Sequence, residues 1–449
     1  MICRVNWLCA PQAFRGVIGA RMAPAYAPEP QLSTLQFRDR GAVIRKACCM
    51  MQDQIERTSR PDCKSGWSKP GPRQSVAFGL RVVDALPQAQ QRINARRMVL
   101  VTTNSLARPG GLAELVFNTH RASFVSVISG VRAHTPRTDV VRIASALRGA
   151  DGVVSLGGGS VCDAVKAARL ALAHGIVDAD DIDRLRHPPA SEDVSDNGLN
   201  RLPTLPHLAI PTTLSASEYT SFAGVTDERG PRKEALSAPG MAPDIVLLDP
   251  AMTLATPSRL WLATGVRAVD HAVETWCAVN ATPFSDATSL HAMRLLVRGL
   301  LRCGRFADDL QARQACLEGA WLAIQGLSMG VDAGASHGIG HALGGTAGMP
   351  HGETSCVMLP HVLRYNMPVN AERQAVLAAA AGSPERDLAD IVADLVQTLG
   401  LPQRLRDAGV ILDQIVPIAQ AAMHDRWLQT NPRPLTTQAD VLRILQAAW

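Results

Sequence analysis

The feature that most restricts the fold of this chain is a change of period near Pro257. Before it, short apolar runs alternate with segments of helical spacing; after it, almost everything to Trp449 carries apolar residues at three- and four-residue steps. A short apolar run bounded by polar or turn residues reads as a buried strand. Such runs lie at Met98–Thr103, Ser123–Ile128, Gly152–Leu156, His207–Ile210 and Ile245–Leu248, and regular structure begins near Ser75–Gly79. Helical spacing covers Thr138–Arg148 and Asp163–Ala173, then Leu260–Val279, Ser285–Leu301, Leu310–Leu327 and Arg386–Leu399. Strands alternating with helices imply a parallel sheet covered on both faces. The expected plan is an α/β domain at 73–256 followed by an all-helical domain at 257–449.

Residues 1–72 differ from the rest: they carry Pro, Arg, Gln and isolated Cys, including Cys48–Cys49, with no sustained period. The expectation is an extension that is disordered or not native to the protein; a transit peptide has a similar composition. No run of about twenty apolar residues occurs, so no membrane span is expected. The net charge of +5 is spread along the chain and carried mostly by arginine, with only five lysines, which is not a nucleic-acid footprint. The ten cysteines form no CxxC pair and read as reduced thiols of a cytoplasmic protein. The apolar patterning of the helical half makes a homodimer the expected state.

The helical half holds the densest chemistry. His337 and His341 are four residues apart, and on a helix they share a face. Gly344–Gly345 is expected to stop that helix, and Pro350 to turn the chain so that His351 returns to the same pocket. Imidazoles grouped in this way suit metal binding or proton transfer; scattered surface histidines are the alternative. A zinc-protease helix is excluded, because Gly338 stands where that motif needs glutamate. Farther upstream, Arg267 and His271 share one helix face, and Asp270 and Glu274 share another.

The α/β half holds two further signals. In Ser155-Leu156-Gly157-Gly158-Gly159-Ser160-Val161-Cys162-Asp163 a strand runs through three glycines into a helix. Glycines admit a close ligand, and free amides at a helix start bind phosphate. This suits a dinucleotide pyrophosphate, although the usual GxGxxG fingerprint is absent, and a tight strand–helix turn would read the same. Pro211-Thr212-Thr213 follows another strand, placing hydroxyls at the carboxyl end of the sheet, where ligands bind; a Ser/Thr loop with local turn bonds is the alternative.

Taken together, GGGS followed by Asp, then PTT, TGxxAxxHAxE, HxxxHxLG, PHG and LPHxxxYN resemble the iron-containing (group III) alcohol dehydrogenase family. The resemblance runs from about Val76 to near the C-terminus. Gly344-Gly345-Thr346, with Leu359-Pro360-His361 and Tyr365-Asn366, is closer to its maleylacetate reductase branch. It implies a dehydroquinate-synthase-like architecture. It also implies that Gly157, Gly158, Gly159, Ser160 and Asp163 hold the pyrophosphate of NAD(P)H, with Thr212 and Thr213 beside it. His271, His337 and His351 match three of the family's four metal ligands, and His341 matches the histidine near the reacting centre, a candidate proton relay.

Two positions depart from the family pattern. The fourth ligand, an Asp four residues before the first metal histidine, is here Arg267. A guanidinium stays protonated and cannot ligate a cation, so a divalent metal, iron or zinc, is conditional. Arg267 with His271, His337 and His341 is expected instead to serve an anionic substrate. At Thr103, NAD-specific members resemble one another in carrying Asp, which repels a 2′-phosphate; NADPH is therefore expected to serve as well as NADH. The resulting expectation is an NAD(P)H-dependent maleylacetate reductase of aromatic-compound degradation. A metal-dependent alcohol dehydrogenase or aldehyde reductase on a neutral substrate is one alternative. A sugar-phosphate cyclase or glycerol dehydrogenase relative, or a non-catalytic dinucleotide-binding protein, are others.

Overall fold

The continuous apolar runs become strands buried on both faces: every position of the strands Met98–Thr102, Gly152–Gly157, His207–Pro211 and Ile245–Leu248 is buried. The computed structural model describes Ser68 and residues 70–186, 201–230 and 232–449; the N-terminal extension up to Trp67, with Cys48–Cys49, lies outside the described residues. The α/β half comprises β1 (Ser75–Phe78), α1 (Val82–Ile93), β2 (Met98–Thr102), α2 (Leu112–Thr119), β3 (Phe124–Ile128), α3 (Arg137–Ala146), β4 (Gly152–Gly157), α4 (Gly159–Ala173), β5 (His207–Pro211), β6 (Phe222–Asp227), β7 (Arg232–Ser237) and β8 (Ile245–Leu248). The helical half comprises α5 (Ser258–Cys277), α6 (Pro283–Arg305), α7 (Leu310–Ala323), α8 (Gln325–Ser328), α9 (Ala335–Ala347), α10 (His351–Ala380), α11 (Leu388–Thr398), α12 (Ile415–Ala422), α13 (Trp427–Thr430) and α14 (Gln438–Ala448).

The main sheet has six parallel strands in the order β1-β8-β5-β4-β2-β3. Side chains alternate across it: Val99, Val101 and Val153 pack on α3 and α4, while Leu100, Val154, Leu156 and Leu208 pack on the opposite face with Leu86 of α1. The connection after β2 leads outward to β3, whereas that after β4 leads the other way to β5. A crevice opens where such directions diverge, outside the carboxyl ends of the strands. The glycine turn after β4 and Thr103 after β2 flank this point. Ala209, Leu214, Val246 and Leu248 share one core with Trp261, Val266 and Val269 of α5, so the sheet and the helical half are continuous within the unit Gly66–Trp449.

Several sequence expectations change. α4 begins at Gly159, not Asp163, so Gly159 and Ser160 lie in its first turn. Gly344–Gly345 does not end α9: the helix runs through both and stops at Gly348, whose φ of 66° is the left-handed conformation that glycine adopts freely. The hairpin β6–β7, an antiparallel pair from Phe222↔Ser237 to Asp227↔Arg232, is an element that the apolar runs do not mark.

Candidate active site

Four residues of α5, Arg267, Asp270, His271 and Glu274, stand at i, i+3, i+4 and i+7 and form one stripe, all of them buried. Sequence spacing suggests two separate faces; the helix turns them toward a common centre, where α9 and α10 arrive. Glycines permit the crossing. A Cβ on Gly352 would lie 3.0 Å from the backbone of Ala263, and one on Gly340 would lie 3.0 Å from Thr354 Oγ1.

The start of α9 has no side-chain cap of its own. The Glu274 carboxylate supplies it, accepting from the amides of Gly334 at 2.8 Å and Ser336 at 2.7 Å. It also accepts from His337 Nδ1 at 2.7 Å. This fixes the His337 tautomer and leaves Nε2 buried without a partner. Asp270 Oδ2 lies 3.5 Å from the same Nδ1 and accepts from the hydroxyls of Ser336 and Ser355 at 2.8 and 2.6 Å. Burial holds His337 neutral, with its pKa lowered to about 3, and pushes Glu274 up to about 7 against the pull of the two amides. His271 is lowered well below its ordinary value by the same burial, and its Nδ1 has no partner.

The imidazoles form one continuous group. Ring centres of His271 and His337 are 5.0 Å apart, and those of His341 and His351 are 5.6 Å apart with parallel planes. Trp427 links the two pairs, edge-on to His337 at 5.6 Å and against His341 at 5.0 Å. Arg267 closes the group. Its Nη2 lies 3.0 Å from His351 Nε2, and its Nη1 donates to Ser355 at 3.1 Å. All five candidate residues of the helical half therefore meet. Sequence reasoning missed Ser355, Asp425 and Trp427, and gave Glu274 no role. Glu274 stands in a recognisable motif; Asp425 and Trp427 are brought in from more than eighty residues away, which no local spacing announces.

At the sheet edge, the glycine turn is kept bare by its packing. A Cβ on Gly157 would meet Val161 at 2.6 Å, one on Gly158 Thr213 at 2.9 Å, and one on Gly159 Ser215 at 2.9 Å. α4 starts there with no side-chain cap, leaving its first amides for an anion. Thr213 Oγ1 is buried without a partner, and Thr212 donates its amide to Gly157 O at 3.0 Å. Ser160 Oγ accepts the His134 amide at 3.1 Å. Among the described residues, Thr103 Oγ1 hydrogen-bonds the neighbouring hydroxyl of Ser105 at 2.9 Å. Asp163 is expected from its motif to be a cofactor residue, but its carboxylate is engaged by the protein: Lys166 at 2.9 Å, the Gly224 amide at 3.0 Å and the Ser217 hydroxyl. It ties α4 to the segment 217–224. Leu214 N donates to Thr264 Oγ1 at 3.2 Å, one helical turn before Arg267, which joins the two parts of the site.

The donors suit a dinucleotide but not a divalent cation among the histidines. A buried guanidinium, short of its full basicity through burial yet still a cation, hydrogen-bonds the ring nitrogen of His351. At this site, Asp270, Glu274 and His337 have ligand atoms within 4.8 Å of one another. Apart from Asp270 Oδ1 and His337 Nε2, their atoms are already taken by N–H and O–H donors.

Residues 72–250 match the iron-containing alcohol dehydrogenase family, and residues 261–449 match the C-terminal part of the Fe-containing alcohol dehydrogenase family. The chain belongs to this family, and it is an NAD(P)-dependent oxidoreductase. Among curated proteins, it is 32% identical over 410 residues to the dehydrogenase FUM7 of Gibberella moniliformis, covering 83% of this chain and 96% of that one. It is 32% identical over 378 residues to the maleylacetate reductase of Pseudomonas knackmussii, covering 83% and 95%. The crystal structure of maleylacetate reductase from Agrobacterium tumefaciens superposes with a TM-score of 0.71 at 26% identity, covering 86% of this chain and 99% of that one. No helix among the described residues is long and apolar enough to cross a membrane.

Proposed function

We propose that this protein reduces a small anionic keto acid of the maleylacetate type with NADH or NADPH, without a metal. The observation that carries this reading is the buried guanidinium of Arg267 against His351, in one group with the neutral His271 and His337, where the family pattern has an acid. A fixed cation that has, among the described residues, no carboxylate closer than Asp270 at 3.8 Å favours an anion in the same pocket. The similarity to two maleylacetate reductases supports the substrate class.

Gly157, Gly158, Gly159 and Ser160, with Thr212 and Thr213, would hold the dinucleotide, which supplies a hydride when bound. The uncapped start of α4 carries the positive pole that a pyrophosphate requires. Arg267 stabilises the negative charge that develops on the substrate oxygen as an enolate or alkoxide forms. Neutral His337 and His271 hold no competing charge, and His341, whose side chain is 39% exposed, supplies the proton. Thr103 places no carboxylate near a ribose 2′-phosphate, so both cofactors are accommodated. We place the enzyme in the cytoplasm as a homodimer on its composition alone.

The test is oxidation of NADH and of NADPH with maleylacetate against a panel of simple aldehydes, each with and without a chelator. Turnover of the keto acid that survives chelation supports the reading. Chelator-sensitive activity confined to neutral aldehydes would replace it with a metal-dependent alcohol dehydrogenase.

A further inference from the structure

We infer that Asp425 is a positioning residue for the reaction: it fixes the tautomer and orientation of His341, and the segment 425–431 is a built part of the active site. This deepens the proposed function, since it rests on His341 as the proton donor. The central observation is that Asp425 Oδ2 accepts from His341 Nδ1 at 2.7 Å. With Nδ1 committed, Nε2 is the nitrogen left to deliver a proton. The carboxylate lies below its ordinary pKa: burial opposes this, and the hydrogen bond and charge of His341 outweigh the burial.

The other oxygen of the same carboxylate has a second task. Asp425 Oδ1 accepts the backbone amide of Trp427 at 2.9 Å, starting the short turn that carries the indole. That indole lies against both His341 and His337. One carboxylate therefore sets the proton donor and the aromatic wall beside it. The segment is held at its far end as well. Thr430 Oγ1 donates to Ala333 O at 2.9 Å, Asn431 Oδ1 accepts the Ala335 amide at 3.1 Å, and Asn431 Nδ2 donates to Asn366 Oδ1 at 2.6 Å. Gly338 makes the approach possible, because a Cβ there would lie 2.4 Å from Leu428 Cδ1 and 3.4 Å from Asp425 Oδ1. The residue that excluded a metalloprotease is glycine for a packing reason: it admits the strap that carries the aspartate.

In the reductive direction, the His341 Nε2–H bond breaks and a new O–H or C–H bond forms on the substrate that has received hydride. The electron pair of the broken bond stays on Nε2, leaving the neutral Nδ1–H tautomer. Asp425 keeps its hydrogen bond throughout and takes no proton. His341 is 39% exposed, so water can reprotonate it.

The test compares full-length wild type with Asp425→Asn and Asp425→Glu. The Asn side chain can still accept the Trp427 amide, but it can offer its NH2 to Nδ1 and so favour the wrong tautomer. The expected result is a kcat for keto-acid reduction lower by about a hundred-fold in Asp425→Asn, with KM changed less than about three-fold and partial recovery in Asp425→Glu. A solvent deuterium isotope effect larger than that of wild type should accompany it, because proton delivery has become limiting. A structural role alone would lower cofactor binding and thermal stability without enlarging that isotope effect. Independently of any substrate, a downfield imidazole N–H proton resonance should be present in wild type and lost in both Asp425→Asn and His341→Gln. Absence of that resonance in wild type, or an unchanged kcat in Asp425→Asn, overturns the assignment. If no keto acid is reduced, the proposed substrate is wrong, and the resonance still decides the pairing.

Discussion

The guanidinium of Arg267 lies 3.0 Å from Nε2 of His351, in a group where the family pattern has an acid and three histidines. In the proposed reading the chain itself, through Arg267, supplies the positive charge of this group. Replacing Arg267 with Asp should therefore recreate the four-ligand set with His271, His337 and His351. Purified Arg267→Asp is expected to bind close to one equivalent of zinc or iron, read by elemental analysis after gel filtration, while wild type retains almost none. Stoichiometric metal in the wild type would defeat this view of the site. Arg267→Ala should leave both forms of charge missing and lower keto-acid turnover by roughly a hundred-fold or more, as loss of one preorganised electrostatic group does elsewhere.

The bare glycine turn gives a second test. A methyl group on Gly158 would sit 2.9 Å from Thr213 Cγ2 and 3.0 Å from its Oγ1, in a loop that has no free space. Gly158→Ala should weaken dinucleotide binding at least about ten-fold, because the turn must shift away from the amides that face the pyrophosphate. Fluorescence titration with NADH checks it, with circular dichroism to confirm that the sheet is intact. Unchanged affinity in a folded variant would place the dinucleotide elsewhere.

Much of this architecture was legible because strands of a parallel sheet need apolar runs, and five of the six strands of the main sheet were marked by them; β1 was expected only as the point where regular structure begins. That His337 and His341 enter one group was legible from their spacing of one helical turn, whereas their ring partners, His271 and His351, come from other helices. What escaped was carried by longer-range packing. Gly344–Gly345 reads as a stop, yet both residues accept right-handed helix when the flanking turns pack, and the termination falls on Gly348 instead. α10 passes through Pro360 and Pro368, which local rules read as breaks; the chain leaves helical dihedrals at Asn370, where two helical stretches join at a kink. Asp163 stands inside the glycine motif and so looks like a ligand, whereas its charge is committed to Lys166 and the segment beyond Ser217. Asp425 has no pattern around it at all.

The proposed use of both cofactors rests on Thr103, whose hydroxyl pairs with that of Ser105 and brings no charge to the end of β2. Wild type is expected to show kcat/KM values for NADPH and NADH within about ten-fold of each other. Thr103→Asp should lower the NADPH value by roughly one to two orders of magnitude and leave that for NADH much less affected, because a carboxylate there repels a 2′-phosphate while accepting ribose hydroxyls. A wild type that discriminates strongly in favour of NADH would show that another group sets the preference.

The last prediction concerns pH. Glu218 is buried near the start of α4, and burial pushes its carboxyl up from 4.5 to about 7, with Lys166 opposing the change. The folded protein therefore holds a proton that the unfolded chain releases between these two values. Stability from this group is fully present below pH 4.5 and is lost as pH rises through about 7. The loss reaches about 3 kcal/mol at most, since each tenfold change in proton affinity is worth about 1.4 kcal/mol. Glu218→Gln carries no titrating proton, so urea unfolding of the variant should show a flatter dependence between pH 5 and pH 7.5 than wild type. The difference between the two curves isolates this carboxyl from the other titrating groups. A difference that grows in the opposite direction, with wild type gaining relative stability as pH rises, would mean that Glu218 is ionised in the fold and held by Lys166.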